Sequence, residues 1–338
     1  MHTRTVRAVS AWAAGAVLTG LSAVVGCRAF GVDGVTPVPQ ALAFLPWLLV
    51  PAAVALALAA LARWRPGLVW ALVVLAVIGW FCRPYGAGST GAEGPVVAPL
   101  RVLTANVEFG RGTDALVAAV LRDEPDLVFV QECEYACAGA LTARVPSSAY
   151  PYRALPGAGG SRGSAILSRY PLRPTEGIDG AMEMPGAVVL VQGEAVRLQL
   201  AHPLPPIPRG VGAWREELGR LRNFAATARD EPLLLAGDFN ASQDHAAFRA
   251  VLDAGGLHDS ARLAGASRTP SWPADDRYPM GTQIDHVLVS DDFSVRSALF
   301  LGLAPSDHRA LLVELDLHKG SRVARAPAAA DAGGDGRS

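Results

Sequence analysis

The hydrophobic residues of this 338-residue chain fall into two zones with different patterns. Before residue 83 they form three long uncharged runs, which are Ala8 to Cys27, Ala41 to Ala62 and Pro66 to Cys82. After residue 100 they form short apolar runs, typical of buried strands, that alternate with amphipathic helix-like segments. The pattern therefore predicts an apolar N-terminal segment, 1–83, and a folded domain, 100–319.

The three apolar runs are predicted to be transmembrane helices. The first two reach the roughly 20 residues that a helix needs to cross a bilayer, and the third is at the short end of that range. The arginines that flank these runs are unequally divided between the two sides of the membrane. One side has four, which are Arg4, Arg7, Arg63 and Arg65, and the other has two, which are Arg28 and Arg83. By the positive-inside rule, the N-terminus lies in the cytoplasm and everything after the third run lies outside. This predicts a multi-pass protein of the cell membrane with an extracytoplasmic domain.

A second interpretation treats the first apolar run as a cleaved signal peptide. Val24-Val25-Gly26-Cys27 is similar to a weak lipoprotein cleavage box, and it follows an arginine-bearing start. The two later runs already anchor the chain, so three spans are the preferred hypothesis. The intact mass, or lipid on Cys27, distinguishes the two interpretations.

The region after the membrane segment predicts a mixed α+β domain. Residues 84–99 are rich in Gly, Pro, Ala and Ser and predict a linker. The predicted strands are Leu100–Val107, Leu127–Gln131, Ala165–Leu167, Val188–Val191, Val196–Leu200, Leu233–Ala236, Ile284–Val289 and Leu311–Leu315. The predicted helices are one capped by Thr113 or Asp114, one over Trp214–Ala228 and one over Asp244–Ala254. Such a mixture favours two stacked sheets with helices outside. The Ala/Gly/Asp/Arg-rich segment 320–338 is predicted to be disordered.

Polar residues that suit metal and phosphate chemistry follow several of these strands. In chain order they are Asn106, Glu108, Glu132, His202, Asp238, Asn240, Asp285, Asp307 and His308. Taken singly, a glutamate at a strand end is usually only solvated. Gathered at one edge of a sheet, however, carboxylates, amides and imidazoles can hold a hard divalent cation and cleave a phosphoester. The set as a whole therefore predicts a metal-dependent hydrolytic site.

Charge argues against nucleic acid as the substrate. From Leu100 to Lys319 the chain has 27 acidic and 21 basic side chains, which gives a net charge of −6 (21 − 27) with His neutral. A protein that binds nucleic acid without sequence preference shows a positive surface instead. The charge favours a small-molecule or lipid phosphate, and the sequence indicates no protein partner.

The four cysteines are too few for a disulfide-built fold. Cys27 and Cys82 would both lie at the outer membrane face, where they could pair. Cys133 and Cys137 could pair if they share a helix face in an oxidising compartment. Free buried thiols are the alternative for both pairs. The spacing argues against metal binding by these cysteines, because no second Cys/His pair lies at finger-like spacing.

The ordered polar set, with Gly163-Ser-Ala-Ile-Leu-Ser-Arg-Tyr-Pro171 in its middle, resembles the endonuclease/exonuclease/phosphatase superfamily. The resemblance covers Leu100 to about Leu315. It implies a four-layered α/β sandwich and phosphoester hydrolysis that depends on Mg²⁺ or Mn²⁺. Within that pattern, some relatives have an aspartate at the position of Glu108.

The resemblance also implies roles for individual residues. Glu132 is the principal metal ligand, and the same metal-binding group contains Asn106, Asp307 and Glu108. The expected catalytic group is Asp238 for the attacking water, Asn240 for the phosphoryl oxygens, His308 held by Asp285, and His202 as a second donor. Substrate contacts are expected from Arg162 and Ser164. Trp272, between two prolines, is open to two interpretations, a loop anchor in the core or a substrate platform.

The arrangement of three spans before such a domain, in a chain whose one lysine is Lys319, is similar to actinobacterial VanJ-like membrane proteins. That subgroup implies undecaprenyl pyrophosphate hydrolysis and teicoplanin-type glycopeptide resistance. Two other hypotheses stay open at this point. One is an extracellular nuclease or phosphodiesterase with the same chemistry, and the other is a membrane receptor that binds phosphorylated envelope ligands without cleaving them.

Overall fold

The computed structural model describes residues 2–86, 88–275 and 280–319 of the chain. Its N-terminal segment consists of helices joined by short turns. They are α1 (His2–Ala29), α2 (Val38–Ala43), α3 (Leu49–Ala62) and α4 (Arg65–Phe81), with a 3-10 turn over Leu45–Leu48 before α3. The segment predicted as a disordered tail, 320–338, lies outside the described residues.

Two stretches of this segment are long and apolar enough to cross a membrane. They are Thr3–Ala29 and Leu45–Ala62, whereas the third predicted span corresponds to a shorter apolar helix, Arg65–Phe81. A left-handed residue, Arg63, ends α3, and Pro66 in the first turn of α4 starts the next helix, so the two form a tight hairpin. Length and composition therefore indicate two membrane-crossing stretches rather than clearly three.

The remainder of the described chain is an α+β fold with two stacked mixed sheets flanked by helices. Its strands are β1 (Val96–Asn106), β2 (Leu127–Gln131), β3 (Tyr152–Ala154), β4 (Ser164–Ser168), β5 (Leu172–Ile178), β6 (Met184–Val191), β7 (Glu194–Ala201), β8 (Leu233–Asp238), β9 (His258–Asp259), β10 (Asp285–Val289), β11 (Phe293–Gly302) and β12 (Arg309–His318). Its helices are α5 (Thr113–Asp123), α6 (Tyr135–Arg144), α7 (Val211–Thr227), α8 (Ala246–Gly255) and α9 (Ser260–Leu263).

Each sheet has six strands. The first runs β11-β12-β1-β2-β4-β3, and the second runs β5-β6-β7-β8-β10-β9. The pairs β1–β2 and β7–β8 are parallel, because a helix connects the two strands of each pair, and the remaining pairs are antiparallel. The inward faces of both sheets form one apolar core, in which residues such as Phe129, Leu198 and Val313 are fully buried.

The helices cover the outer faces of the sheets. Leu116 and Val120 of α5 and Leu141 of α6 are buried with the outward residues of the first sheet. Trp214 and Leu218 of α7 are buried with the outward residues of the second sheet and with α8. Each helix buries one stripe against a sheet, which leaves the strand ends free to form a site.

Several sequence-based predictions differ from the structure in detail. The helix expected to be capped by Thr113 or Asp114 starts at Thr113, with Gly112 at the N-cap position and no capping side-chain bond. Strand β1 begins at Val96, inside the predicted linker, because its first residues pair with β12. Strand β5 was missed, since it is a half-exposed edge strand with Pro174 in its middle.

The cysteines behave differently in the two candidate pairs. Cys133 and Cys137 form a disulfide that joins the end of β2 to the first turn of α6. Cys27 and Cys82 are free and half-buried, so the pairing considered for them is not formed in the structure. The disulfide immediately follows Glu132 in the chain, so it constrains the backbone beside that residue.

Candidate active site

The candidate site lies where the inward-facing positions of the central strands change from apolar to polar. On β7, Leu198 and Leu200 face the core, and the next residue of the same parity is His202. The same change occurs from Leu234 and Ala236 to Asp238. The change also occurs on three other strands, at Thr104 and Asn106 of β1, at Gln131 of β2 and at Asp285 of β10. Strand periodicity therefore brings these side chains to one edge, between the two sheets.

Asp238, Asp285 and His308 form the buried centre of this edge. Asp238 and Asp285 are opposite each other in the antiparallel β8–β10 pair. Nδ1 of His308 lies 2.9 Å from Oδ2 of Asp285, and its Nε2 lies 3.8 Å from Oδ2 of Asp238. The last separation is too long for a hydrogen bond, so Nε2 is available to another acceptor.

The charges in this centre are strongly coupled. Burial opposes the charged form of His308, but the carboxylates of Asp285 and Asp238 outweigh it and raise the pKa of the imidazole to about 10. Burial, and then the neighbouring Asp285 carboxylate, raises the pKa of Asp238 to about 7. His308 is therefore a cation at neutral pH, and Asp238 is a carboxyl group that can take up a proton there.

Asn106 and Glu132 connect the first sheet to this centre. The Asn106 amide donates from Nδ2 to Oε1 of Glu132 (3.2 Å) and to Oδ2 of Asp238 (3.1 Å). The backbone N–H of Phe109 donates to Oε2 of Glu132 across 3.0 Å. Asn106 thus links carboxylates of the two sheets and fixes their separation.

The backbone around the site is held in conformations that ordinary residues rarely adopt. Glu132, Glu108 and Asn240 have positive φ angles of 57°, 45° and 48°. Such left-handed conformations cost of order 1–3 kcal/mol and persist where the surrounding structure fixes them. Here each bend turns a polar side chain away from its strand and into the site.

A glycine permits the closest approach of the strands behind the site. A Cβ at Gly237 would lie 1.9 Å from the carbonyl oxygen of Ala201 in β7. Only glycine fits there, and the adjacent Asp238 is consequently placed next to the end of β7. In the Gly237-Asp238 pair, the glycine is therefore required by the close approach of the two strands, and the aspartate supplies the chemistry.

Glu108 and Asp307 form the outer part of the site. The backbone N–H of Asp307 donates to Oε2 of Glu108 across 2.9 Å, and the Trp272 indole donates to Oδ2 of Asp307 across 2.9 Å. The Ser306 hydroxyl donates to the Asn106 carbonyl across 2.8 Å. These contacts attach the turn before β12 to the end of β1.

Asn240 and His202 lie on the side of the second sheet. Asn240 donates from its backbone N–H to Oδ1 of Asp238 (2.8 Å) and from Nδ2 to the carbonyl of Pro203 (2.9 Å), which leaves one amide proton for a ligand. Nε2 of His202 lies 3.9 Å from Oε1 of Glu132. Burial, followed by the positive charge of His308, lowers the pKa of His202 to about 3, so its imidazole is neutral.

The two predicted substrate-contacting residues have no hydrogen bond to this cluster within the described residues. Ser164 is fully buried at the start of β4, opposite Gln131, because its position has the inward parity of Ile166. Arg162 is exposed and lies 3.6 Å from Glu183. The Ser164 hydroxyl is buried and has no hydrogen-bond partner among the described residues, so a substrate contact at Ser164 stays a prediction.

Two residue groups have the chemistry of a divalent-cation site. Among the described residues, the ligand atoms of Asp238, Asp285 and His308 all lie within 4.8 Å of one another. The charge of His308 already compensates these two carboxylates, and an imidazolium has no lone pair for a metal. Glu132 and Asp307, with Asn106, offer oxygen ligands that, within the described part of the chain, have no ion pair with a neutralising cation at hydrogen-bond distance.

The donor set around Glu132 fits a hard cation. Burial raises the pKa of Glu132, hydrogen bonds from Asn106 and Phe109 and the charge of His308 oppose that rise, and the Asp307 carboxylate adds to it. A divalent cation at these oxygens would offset the cost of burying the Glu132 charge beside Asp307. The side chain of Asp307 is 45% exposed, so the set opens to solvent as Mg²⁺ requires for its bound waters.

Trp272 and Ser306 hold residues of the site in position. Trp272 donates to Asp307, a role beside the two that the sequence left open, and those two stay predictions. Ser306, which directly precedes Asp307 and His308 in the sequence, attaches its turn to the Asn106 carbonyl. No local pattern pointed from Trp272 to a residue 35 positions away.

Comparison with known proteins gives the same family. Residues 103–308 match the family model described as the Endonuclease/Exonuclease/phosphatase family. Among proteins with curated descriptions, none matches the chain by sequence.

Solved structures share the fold at low identity. Humanized D. rerio TDP2 has a TM-score of 0.53 at 17% identity, covering 64% of this chain and 98% of its own. An AP endonuclease from Archaeoglobus fulgidus has a TM-score of 0.53 at 16% identity, and the match covers 63% of this chain and 98% of that protein. An endonuclease/exonuclease/phosphatase family protein from Bacteroides thetaiotaomicron has a TM-score of 0.50 at 19% identity, and the match covers 65% of this chain and 98% of that protein. Because the family model spans more than half of the sequence, the chain belongs to the Endonuclease/Exonuclease/phosphatase family, a family of metal-dependent phosphoric ester hydrolases.

Proposed function

We propose that this protein is a membrane-anchored, extracytoplasmic hydrolase that uses Mg²⁺ or Mn²⁺ to cleave a polyprenyl pyrophosphate, such as undecaprenyl pyrophosphate, or another envelope lipid phosphate. A contribution to teicoplanin-type glycopeptide resistance is part of the same hypothesis. One observation carries the proposal. Trp272, whose indole donates to Asp307 in the site, packs its ring against Phe44 of the membrane segment, with 6.4 Å between the ring centroids.

The surfaces of the N-terminal helices support a membrane location. Only 22% of each membrane-length window is buried inside the protein, so these are not core helices of a soluble fold. Large apolar side chains face outward instead, including Trp12 (81% exposed) and Val69 (64%). We propose three spans within an anchor, residues 1–83, followed by a linker, 84–99, a catalytic domain, 100–319, and a tail, 320–338.

The ends of the helices agree with an extracytoplasmic catalytic domain. The residues in contact with the domain lie at the end of α1, before α3 and after α4, for example Arg28, Trp47 and Cys82. The opposite ends contain the arginine-rich N-terminus and the hairpin at Arg63 and Arg65. Since arginine-rich ends remain in the cytoplasm, the catalytic domain would lie outside.

The residues of the site can divide the work of phosphoester hydrolysis. Asp238, with a pKa near neutrality, can accept a proton from the attacking water. His308 can donate from Nε2 to a phosphoryl oxygen, since Nδ1 is held by Asp285. Asn240 can donate its free amide proton to the same phosphoryl group, and neutral His202 can donate one N–H as well.

Glu132, Asn106, Asp307 and Glu108 are the residues that would hold the divalent cation. When bound, the cation supplies charge compensation for the phosphoryl oxygens. Glu108 contributes by holding the backbone N–H of Asp307, whether or not its carboxylate also binds the cation.

The test is phosphate release from undecaprenyl pyrophosphate by the purified full-length protein in detergent with Mg²⁺ or Mn²⁺. The Asp238→Ala variant should lose at least about 100-fold in rate, the usual scale of a lost general base. Plasmid and single-stranded DNA at low salt are assayed alongside. Absence of lipid pyrophosphate turnover, or equal turnover by the variant, contradicts the proposal, and DNA cleavage alone would favour the nuclease hypothesis.

A further inference from the structure

Two loops form the sides of the site, and each contacts the same short part of the anchor. We call this part the junction segment, residues 38–48, which comprises α2 and the 3-10 turn before α3. The first of these loops contains Trp272. Its indole N–H donates to Asp307, and its ring packs in a tilted arrangement against the ring of Phe44 in the junction segment.

The second loop is the proline-rich stretch Pro203–Pro208 that follows His202. At its start, Asn240 of the site donates to the Pro203 carbonyl across 2.9 Å. Further along, the side chain of Gln40 in the junction segment donates to the Pro206 carbonyl. The next residue, Ile207, is 56% exposed at the edge of the loop. The junction segment thus lies at the membrane end of both sides of the site.

Buried ion pairs hold the junction between anchor and domain in place. Asp244 is fully buried and lies 3.1 Å from Arg28 of α1 and 2.7 Å from Arg268. Arg268 also donates to the carbonyls of Phe81 and Cys82 at the end of α4, at 2.7 and 2.9 Å. A buried carboxylate with two guanidinium partners permits little relative movement, because breaking such a pair is costly.

We propose that the junction segment and the two loops form a binding surface for the apolar chain of a polyprenyl pyrophosphate, with Phe44, Trp272 and Ile207 in contact with the chain. This inference rests on the proposed function and specifies how that substrate binds. The continuous path from lipid-facing helices to Asp307 is the reason for choosing a membrane lipid as the occupant. A chain that stays on apolar surface avoids the free-energy cost of crossing water on its way to the site.

The surface predicts selective effects on long-chain substrates. In full-length protein in lipid nanodiscs, Phe44→Ala should lower kcat/KM for undecaprenyl pyrophosphate by about tenfold, the effect of losing one apolar contact. The value for dimethylallyl pyrophosphate, whose single isoprene unit has little apolar surface to bury, should stay within about twofold. The matched control is Phe30→Ala, since Phe30 is an anchor residue that is 86% exposed and should change neither value.

A second variant protects the test against a folding defect. Ile207 is on an exposed loop edge, so Ile207→Ser should leave the fold intact and produce the same selective loss. Equal losses on both substrates, or no loss with either variant, would overturn the binding surface while leaving the proposed function standing. Failure of the wild-type protein to cleave any polyprenyl pyrophosphate would instead remove the proposed function. If Phe44→Ala lowers kcat/KM for a diacyl phosphatidic acid as much as for undecaprenyl pyrophosphate, the assignment to a polyprenyl chain is overturned.

Discussion

His308 and Asp285 form a hydrogen bond of 2.9 Å that joins the two sheets of the catalytic domain. His308 lies in the turn that precedes β12 of the first sheet, and Asp285 begins β10 of the second. Because the carboxylate favours the charged imidazole, the pair both orients His308 and maintains its proton. The chemistry of the site consequently depends on the sheets being stacked in this relation.

Asp285→Asn should reduce kcat by at least about 100-fold, since the neutral amide no longer maintains the proton on His308. The measurement is phosphate release with thermal unfolding in parallel, because asparagine conserves the shape of this buried residue. The matched control is Asp291→Asn, which removes the carboxylate of another His–Asp contact, that of His258 and Asp291 at 2.7 Å. Full activity of the Asp285 variant would refute the role given to this pair.

Glu132→Gln should raise the concentration of Mg²⁺ or Mn²⁺ needed for half-maximal activity by more than about tenfold, since it removes a charged ligand. Calorimetric titration with Mn²⁺ in the absence of substrate measures the same loss independently of turnover. Glu134→Gln, two residues further along the chain, is the control and should bind the metal normally. Chelation with EDTA should abolish wild-type activity, and unchanged metal affinity in the Glu132 variant would exclude it as a ligand.

The free energy of unfolding should fall as the pH drops below about 6.5, the ordinary pKa of a histidine side chain. The reason is that His245 is buried as a neutral imidazole. Its Nε2 donates to the Pro39 carbonyl across 2.8 Å, and its Nδ1 accepts from the backbone N–H of Ser242 across 2.9 Å. Burial lowers the pKa of His245, although the Pro39 carbonyl and the carboxylates of Asp33 and Asp244 oppose this.

The unfolded chain therefore binds more protons than the folded one in this pH range, and folding becomes less favourable with acid. The measurement is the midpoint of chemical unfolding for the full-length protein at pH 7.5 and pH 5. A His245→Gln variant keeps a donor but cannot titrate, so it should show a smaller difference between the two pH values. An identical pH dependence in variant and wild type would contradict this explanation.

Reporter fusions should place Arg65 in the cytoplasm and Ser338 outside. Green fluorescent protein should fluoresce at the first position and be dark at the second, and alkaline phosphatase should show the opposite pattern. The physical reason is retention of the arginine-rich ends on the cytoplasmic side. Phosphatase activity at Arg65 would reverse the orientation, and a lipid-modified Cys27 at the N-terminus would instead support the signal-peptide interpretation.

Much of the candidate site followed from strand periodicity. Asp238 and Asp285 were recognisable because each adjoins an apolar run whose parity fixes the direction of the side chain. Ser164 has the inward parity of Ile166 and lies opposite Gln131, so strand parity places it at the same edge of the sheet.

The sequence by itself determined the alternation of strands and helices, the apolar N-terminal runs, and the residue types at the strand ends, since these depend on local pattern. Tertiary structure decided which residues meet: the Cys133–Cys137 disulfide, the bond from Trp272 to Asp307, and the packing of Phe44 beside the site. Phe44 and Trp272 are separated by 228 positions (272 − 44). Such contacts arise from the packing of whole sheets and helices, which hydrophobic burial drives without regard to sequence distance.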